Sequence, residues 1–181
     1  MKRKILAISG SARKDSANLQ IIKTLAVMTE ERWEMEIFNN LALLPHFNPD
    51  LDKDGALPEI IREFRNKIQE SDGVLICTPE YIFSLPGSLK NAIEWTVSTT
   101  VFSGKPVALI TASSSGIKAH ESLRLIMETI MAKIGPKSQF FISGVRAKLN
   151  AEGQIKDEPT LSKIKELLAD FDEMMHSAMD S

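Results

Sequence analysis

The sequence predicts an α/β domain: a five-stranded parallel sheet in the order 2-1-3-4-5, with helices on both faces as a three-layer sandwich. Three observations predict it. Short apolar runs alternate with longer helical patterns along the whole chain. Most of those runs are apolar at consecutive positions, as strands covered on both faces are. The length, 181 residues, suits one domain spanning residues 1–181, with no linker or internal repeat to divide it. Right-handed crossovers leave few ways to connect such elements, and five strands fit this order better than a six-stranded dinucleotide fold.

The elements follow in turn. Ile5-Leu6-Ala7-Ile8 is the first buried strand. Residues 17–31 form a helix with Ile21, Ile22, Leu25 and Met28 on one face. Glu34 to Phe38 alternates polar and apolar, as a strand nearer an edge would. Residues 58–70 are helical, because Leu57, Ile61, Phe64 and Ile68 recur at spacings of four, three and four. Ser71-Asp72-Gly73 turns the chain into a second buried strand, 74–77. A helix over 89–97 follows. A third buried strand, 107–111, is entered through Gly104-Lys105-Pro106. Residues 119–134 place Leu123, Ile126, Met127, Ile130 and Ile134 on one helical face, and Gly135-Pro136 is expected to stop that helix. Residues 139–142 are a strand and 150–159 a polar loop. Residues 160–176 close the chain as a helix with Leu161, Ile164, Leu168, Phe171 and Met175 inward.

Composition narrows the function. Lys and Arg total 22 and Asp and Glu 24, a formal charge of −2, which argues against nucleic acid or an anionic membrane as partner. One cysteine excludes an internal disulfide and a Cys-rich zinc site. The apolar run after Met1-Lys2-Arg3-Lys4 ends at Ser9-Gly10-Ser11, too soon for a signal peptide, so a cytoplasmic setting is expected. The aromatic set is unusual, with a single Tyr against eight Phe.

In an open α/β sheet the ligand lies at the carboxyl ends of the strands. Three loops belong there, and all are rich in hydroxyls and small residues. The first, from Ser9 to Asn18, leaves a buried strand and opens a helix, whose unpaired amides and dipole suit a phosphate. Ser11, Ser16 and Asn18 add neutral donors and Arg13 a guanidinium. Ser16 as a plain N-cap and Arg13 as a solvated side chain remain the alternative. The loop is neither G-x-G-x-x-G nor Walker A. The second loop, Thr78 to Gly87, contains Pro79-Glu80-Tyr81, with the lone Tyr placed to lie against a planar ligand or simply to pack. The third is Thr111 to Gly116. Cys77 has Phe83 six residues on, where a low-molecular-weight phosphatase would need Arg. Thr78 stands where a receiver domain would need Asp. The segment Asp50-Leu51-Asp52-Lys53-Asp54-Gly55 opens like an EF-hand, but its twelfth position is Ile61. It therefore reads as a surface loop, and no metal site is expected. His46, His120 and His176 are scattered and carry no assigned role.

Two motifs make the chain resemble the NADPH-dependent FMN reductase family, the flavodoxin-like group that includes chromate and quinone reductases and some azoreductases. One is Gly10-Ser11-x-Arg13-x-x-Ser16-x-Asn18. The other is Thr78-Pro79-Glu80-Tyr81 with Pro86-Gly87-x-Leu89-Lys90-Asn91-Ala92-Ile93-Glu94-Trp95. The resemblance covers essentially the whole chain. It implies that Ser11, Arg13, Ser16, Asn18 and Leu19 hold the FMN phosphate end. It further implies that Pro79, Glu80, Tyr81 and Ile82 lie along the flavin ring, with Ser113, Ser114, Ser115 and Gly116 bordering its other side. One position departs: the family often has Asn where Ile82 stands, so a more apolar ring environment is expected. Hydride would pass from NADPH or NADH to FMN, and electrons then to a small acceptor such as a quinone, free flavin, azo compound or metal oxyanion. No catalytic side chain is needed, since the flavin carries the chemistry, and Glu80 is expected to be structural. The resemblance also implies a homodimer or homotetramer, with residues 46–54 and the helix after Pro86 as candidate contact segments. The rival reading is an FMN-binding electron carrier or regulatory module without NAD(P)H turnover. A nucleotide-binding module without flavin is a third.

Overall fold

A computed structural model describes the chain apart from Met1, Lys14, Asp54, Ser115, Ala151, Glu152, Met179, Asp180 and Ser181. Five strands form one parallel sheet: β1 (Arg3–Ser9), β2 (Trp33–Phe38), β3 (Gly73–Thr78), β4 (Val107–Ser113) and β5 (Gln139–Ser143). Their spatial order is β2-β1-β3-β4-β5, as the alternation predicts. Among the described residues, six α-helices connect or flank them: α1 (Ala17–Thr29), α2 (Glu59–Glu70), α3 (Gly87–Glu94), α4 (Ile117–Thr129), α5 (Val145–Lys148) and α6 (Glu158–Ser177). No helix among the described residues is long and apolar enough to cross a membrane.

Strand pleating divides the core in two. Ile5 and Ala7 of β1, Leu75 and Cys77 of β3, and Ala108 and Ile110 of β4 face α1 and α6, where Ile21, Leu25, Ile164 and Phe171 meet them. Leu6, Ile8, Val74, Ile76, Val107 and Leu109 point the other way, onto Ile61, Phe64, Leu89, Ala92 and Leu123 of α2, α3 and α4. The central strands are therefore apolar at consecutive positions, as in Ile5–Ile8 and Val74–Cys77, because each face has its own helical layer. The edge strand β2 keeps polar residues, as its alternating pattern indicates.

One helix ends earlier than its periodicity suggests. The stripe through Ile134 implies a helix to residue 134, but α4 stops at Thr129 and Met131 adopts φ +61°. Residues 132–133 then run beside the start of β4. Val107 N donates to the Lys133 carbonyl at 2.8 Å and Lys133 N to Lys105 O at 2.9 Å. Ile130 and Ile134 still reach the core, so their spacing reports burial and not helix. Gly135-Pro136 consequently does not cap this helix. A 3-10 turn at Leu41–Leu43 and the single turn α5 carry too few residues to show a period.

The acidic segment after Asn48 is explained by ion pairing. Arg65 Nη2 meets Asp52 Oδ1 at 2.6 Å, with both side chains largely buried, while Arg65 Nε donates to the Trp95 carbonyl at 2.6 Å. Residues 45–47 are held to α3 in the same way. Asn91 Nδ2 and Trp95 Nε1 both donate to Pro45 O, at 2.9 and 2.7 Å, and Asn91 Oδ1 accepts from Phe47 N at 2.7 Å. Within the longer motif, Asn91 and Trp95 are thus fasteners of a neighbouring loop.

Candidate functional site

The carboxyl ends of β1, β3, β4 and β5 surround a cavity of about 780 Å³, within the size range of small-molecule and cofactor sites. It forms because two loops approach closely at its base. Gly10 N donates to the Cys77 carbonyl at 2.8 Å. A Cβ on Gly10 would lie 2.6 Å from Thr78 Cβ, so only glycine lets the loop after β1 meet the loop after β3.

On one side stands the start of α1. Ser16 is its N-cap, with Oγ accepting from Leu19 N at 3.1 Å, and its hydroxyl proton stays available to donate. Ser11 Oγ accepts from Arg13 N at 3.3 Å and is buried beside the cavity. The Arg13 guanidinium is exposed on the cavity wall. Together with the first-turn amides and the helix dipole, these groups can bind a phosphate. Asn18 lines the cavity from a buried position, but its side chain is committed elsewhere. Its Nδ2 donates to the Ala112 carbonyl at 3.3 Å, and its Oδ1 accepts from Cys77 Sγ at 3.4 Å. It locks α1 onto β3 and β4 and so supports the floor.

On the other side are Pro79, Glu80 and Tyr81, with Ser113 and Ser114 opposite. Glu80 fastens these two walls together. Its Oε1 accepts from Gly116 N and its Oε2 from Ala119 N, each at 3.0 Å. Those amides belong to the first turn of α4, whose own N-cap, Gly116, has no side chain to satisfy them. Gly116 sits at φ +101°, and a Cβ there would clash with Ser113 Oγ and lie 2.8 Å from a Phe141 ring carbon. Ser113 Oγ is buried without a hydrogen-bond partner among the described residues. An unpaired buried hydroxyl on the wall of a cavity is a donor left for a ligand, and a flavin, with its ring carbonyls and phosphate, fits this donor set.

The cavity therefore gathers Ser11, Arg13, Ser16, Asn18, Pro79, Glu80, Tyr81, Ser113 and Ser114 from the sequence expectation. Leu19 lies within α1, its side chain buried and its amide spent on the cap. Gly116 contributes a turn whose amide is already taken by Glu80. Ser115 lies outside the described residues. Ile82 stands outside the cavity wall and is 95% exposed, so its side chain does not make the cavity more apolar. What distinguishes position 82 is its backbone. Ile82 and Phe83 both adopt positive φ, +50° and +55°, between Tyr81 and Ser84, which exchange N–H···O bonds of 2.9 and 3.0 Å. That is the φ pattern of a type I′ turn, which favours Asn and Gly.

Sequence reasoning missed the bank formed by Gly144, Val145, Arg146 and Ala147 after β5, while Asp15 and Ala112 line the cavity from loops expected there but were not singled out. Strand order places the end of β5 beside β4, so the hydroxyl-poor loop after β5 was reachable from topology alone.

The comparisons with known proteins agree with this geometry. A 2-hydroxy-1,4-benzoquinone reductase of Burkholderia sp is 34% identical over 166 residues, covering 88% of this chain and 89% of that protein. A quinone reductase of Escherichia coli (strain K12) is 29% identical over 180 residues, 96% of both chains. Among solved structures, the flavoenzyme NAD(P)H:(acceptor) oxidoreductase FerB of Paracoccus denitrificans superposes with a TM-score of 0.71 at 28% identity, covering 98% of each chain. The sequence pattern of one family, described as NADPH-dependent FMN reductase, matches residues 3–147, which take in β1 to β5 and every wall of the cavity. The chain belongs to the NADPH-dependent FMN reductase family of oxidoreductases.

Proposed function

We propose that this chain, acting as one domain, binds FMN in the cavity, oxidises NADPH or NADH, and reduces a small acceptor. A quinone is the leading candidate, with free flavin, an azo compound or a metal oxyanion as others of the same class. The observation that carries the reading is that the start of α1, with Ser11, Arg13 and Ser16, lines the same cavity of about 780 Å³ as Pro79–Tyr81 and Ser113–Ser114. In this reading Arg13 would grip the phosphate, with Ser11 and Ser16 donating their hydroxyl protons. Pro79, Glu80 and Tyr81 would border the ring on one side and Ser113 and Ser114 on the other, with the Ser113 hydroxyl donating to it. Asn18 holds the floor. FMN held by these residues would supply the redox chemistry that no side chain of the chain provides. The chain's own part is to hold two planar reactants in register and to exclude water between them.

The test is spectroscopic. The purified protein is reconstituted with FMN, its visible spectrum recorded without oxygen, and NADPH and then a quinone added. A bound yellow flavin that NADPH bleaches and the quinone restores is the expected result. Bound flavin that NADPH leaves oxidised would point to an electron carrier, and no flavin uptake would remove the reading altogether.

A homodimer or homotetramer belongs to the same proposal. Phe83, 77% exposed beside Tyr81, is an apolar group that a second subunit could cover. Sedimentation velocity should show more than one chain per particle. A reducing intracellular setting, where NAD(P)H is available, completes it.

A further inference from the structure

The cavity holds a second guanidinium that the phosphate cradle at α1 does not use. Arg146 is among the residues that line it, on the bank after β5, as Arg13 is on the α1 side. Its side chain is exposed, and no hydrogen-bond or ion-pair partner for it is found among the described residues. Its neighbour Lys148, by contrast, is committed, with Nζ 3.0 Å from Thr160 Oγ1 and 3.9 Å from Asp157 Oδ2. The backbone carrying Arg146 is anchored: Val145 is buried in the α1–α6 core, and Ala147 N donates to Gly144 O at 3.0 Å. Of the two carboxylates on the cavity wall, Glu80 is bound to the amides of α4. Asp15 is exposed on the α1 side. The bank after β5 therefore presents a cation with no acid of its own.

We propose that Arg146 binds a phosphate monoester, as a cation additional to Arg13. A guanidinium presents a planar fork of donors matched to two phosphate oxygens, and a dianion in a cavity gains from each charge that faces it. Resting on the proposed function, two phosphates have this chemistry: the 5′-phosphate of FMN and the 2′-phosphate that distinguishes NADPH from NADH. An assignment to the second would make Arg146 the determinant of cosubstrate choice.

The experiment compares wild type with Arg146→Gln, and with Arg146→Lys, which keeps the charge but loses the fork. FMN affinity is read by quenching of flavin fluorescence on the flavin-free protein. The preference for 2′,5′-ADP over 5′-AMP is read by calorimetry on the FMN-loaded protein. Loss of FMN affinity by about tenfold in the Gln variant, the scale of a charged hydrogen bond, with the nucleotide preference kept, assigns the residue to the flavin phosphate. Retained FMN affinity with the preference reduced by about tenfold assigns it to the 2′-phosphate. Partial recovery in the Lys variant supports either assignment. Both quantities within about twofold of wild type, below the worth of a charged hydrogen bond, would overturn the proposal. Should wild type take up no FMN, the flavin reading fails separately. Inorganic phosphate binding to the flavin-free protein then decides: weaker binding in Arg146→Gln sustains the site, and equal binding removes it.

Discussion

Ile82 occupies a backbone conformation that its side chain opposes. A β-branched residue at positive φ brings Cβ against the following carbonyl, at a cost of about 1–2 kcal/mol, and at 95% exposure its side chain recovers little by burial. Ile82→Asn is therefore expected to raise Tm by about 2–4 °C, the shift that 1 kcal/mol gives in a chain of this size. An unchanged or lower Tm on calorimetry would mean that the turn in solution differs from the one described. Position 82 is thus set apart by its backbone, where the resemblance implied a more apolar ring environment. Arg13 makes the complementary case, since its guanidinium is free of ion pairs among the described residues. Arg13→Ala should leave Tm within about 1–2 °C of wild type, as exposed substitutions do, yet weaken FMN retention by about tenfold, the worth of a charged hydrogen bond. Equal FMN affinity would show that α1 holds the phosphate without it.

Between elements, two carboxylates do work that no local pattern announces. Glu80 caps α4 from a different loop, so Glu80→Ala orphans the Gly116 and Ala119 amides together. A loss of about 1–2 kcal/mol is expected, the worth of a helix cap, with Glu80→Gln intermediate because one amide oxygen remains to accept. Hydrogen exchange at those two amides should accelerate in the Ala variant, and unchanged exchange would remove the capping role. Asp52 is the second. Its side chain and that of Arg65 are 6% and 12% exposed, so Asp52→Ala strands a buried guanidinium and should cost about 3 kcal/mol in denaturant unfolding. A change below about 0.5 kcal/mol, the ordinary effect at a surface site, would mean water replaces the carboxylate. These pairings explain which parts of the structure the sequence could show. Strands and their order were legible because covering both sheet faces forces apolar residues at consecutive positions, as in Val74 to Cys77. The end of α4 was not, because Ile130 at its cap and Ile134 beyond it pack inward as they would on a continued helix. The hydroxyl-rich walls of the cavity were legible as loops at strand ends. Arg146 was not, since a lone arginine after an edge strand carries no local sign of the cavity it faces.

At the scale of the whole molecule, His120, packed against β4, makes stability depend on pH. Its Nδ1 lies 3.0 Å from Thr111 Oγ1 on β4. Burial, followed by the nearby Arg124 charge, pushes the imidazole pKa below its ordinary value, against the opposing effects of Gln139 and Glu121. A depressed folded pKa means that the unfolded chain binds the proton more readily. The stabilisation from keeping His120 neutral is thus complete above its ordinary value of 6.5 and lost as pH falls through the folded value. Tm measured from pH 8 down to 5, the range over which histidine changes charge, should fall more steeply for wild type than for His120→Gln. Parallel curves would show that the proton finds an equal place in the fold.

The hydrogen bond from Cys77 to Asn18, beneath the floor of the cavity, has a practical consequence. Cys77 is the only cysteine in the chain, is fully buried, and has its thiol pushed far toward the neutral form by desolvation. A disulfide reagent can reach it only after β3 and α1 separate, so the modification rate counts openings of the molecular centre. A ligand seated above that floor must slow the count in proportion to its occupancy. The native protein thus carries an internal clock, unlabelled and unmutated, by which the binding of flavin or of any competing phosphate can be timed.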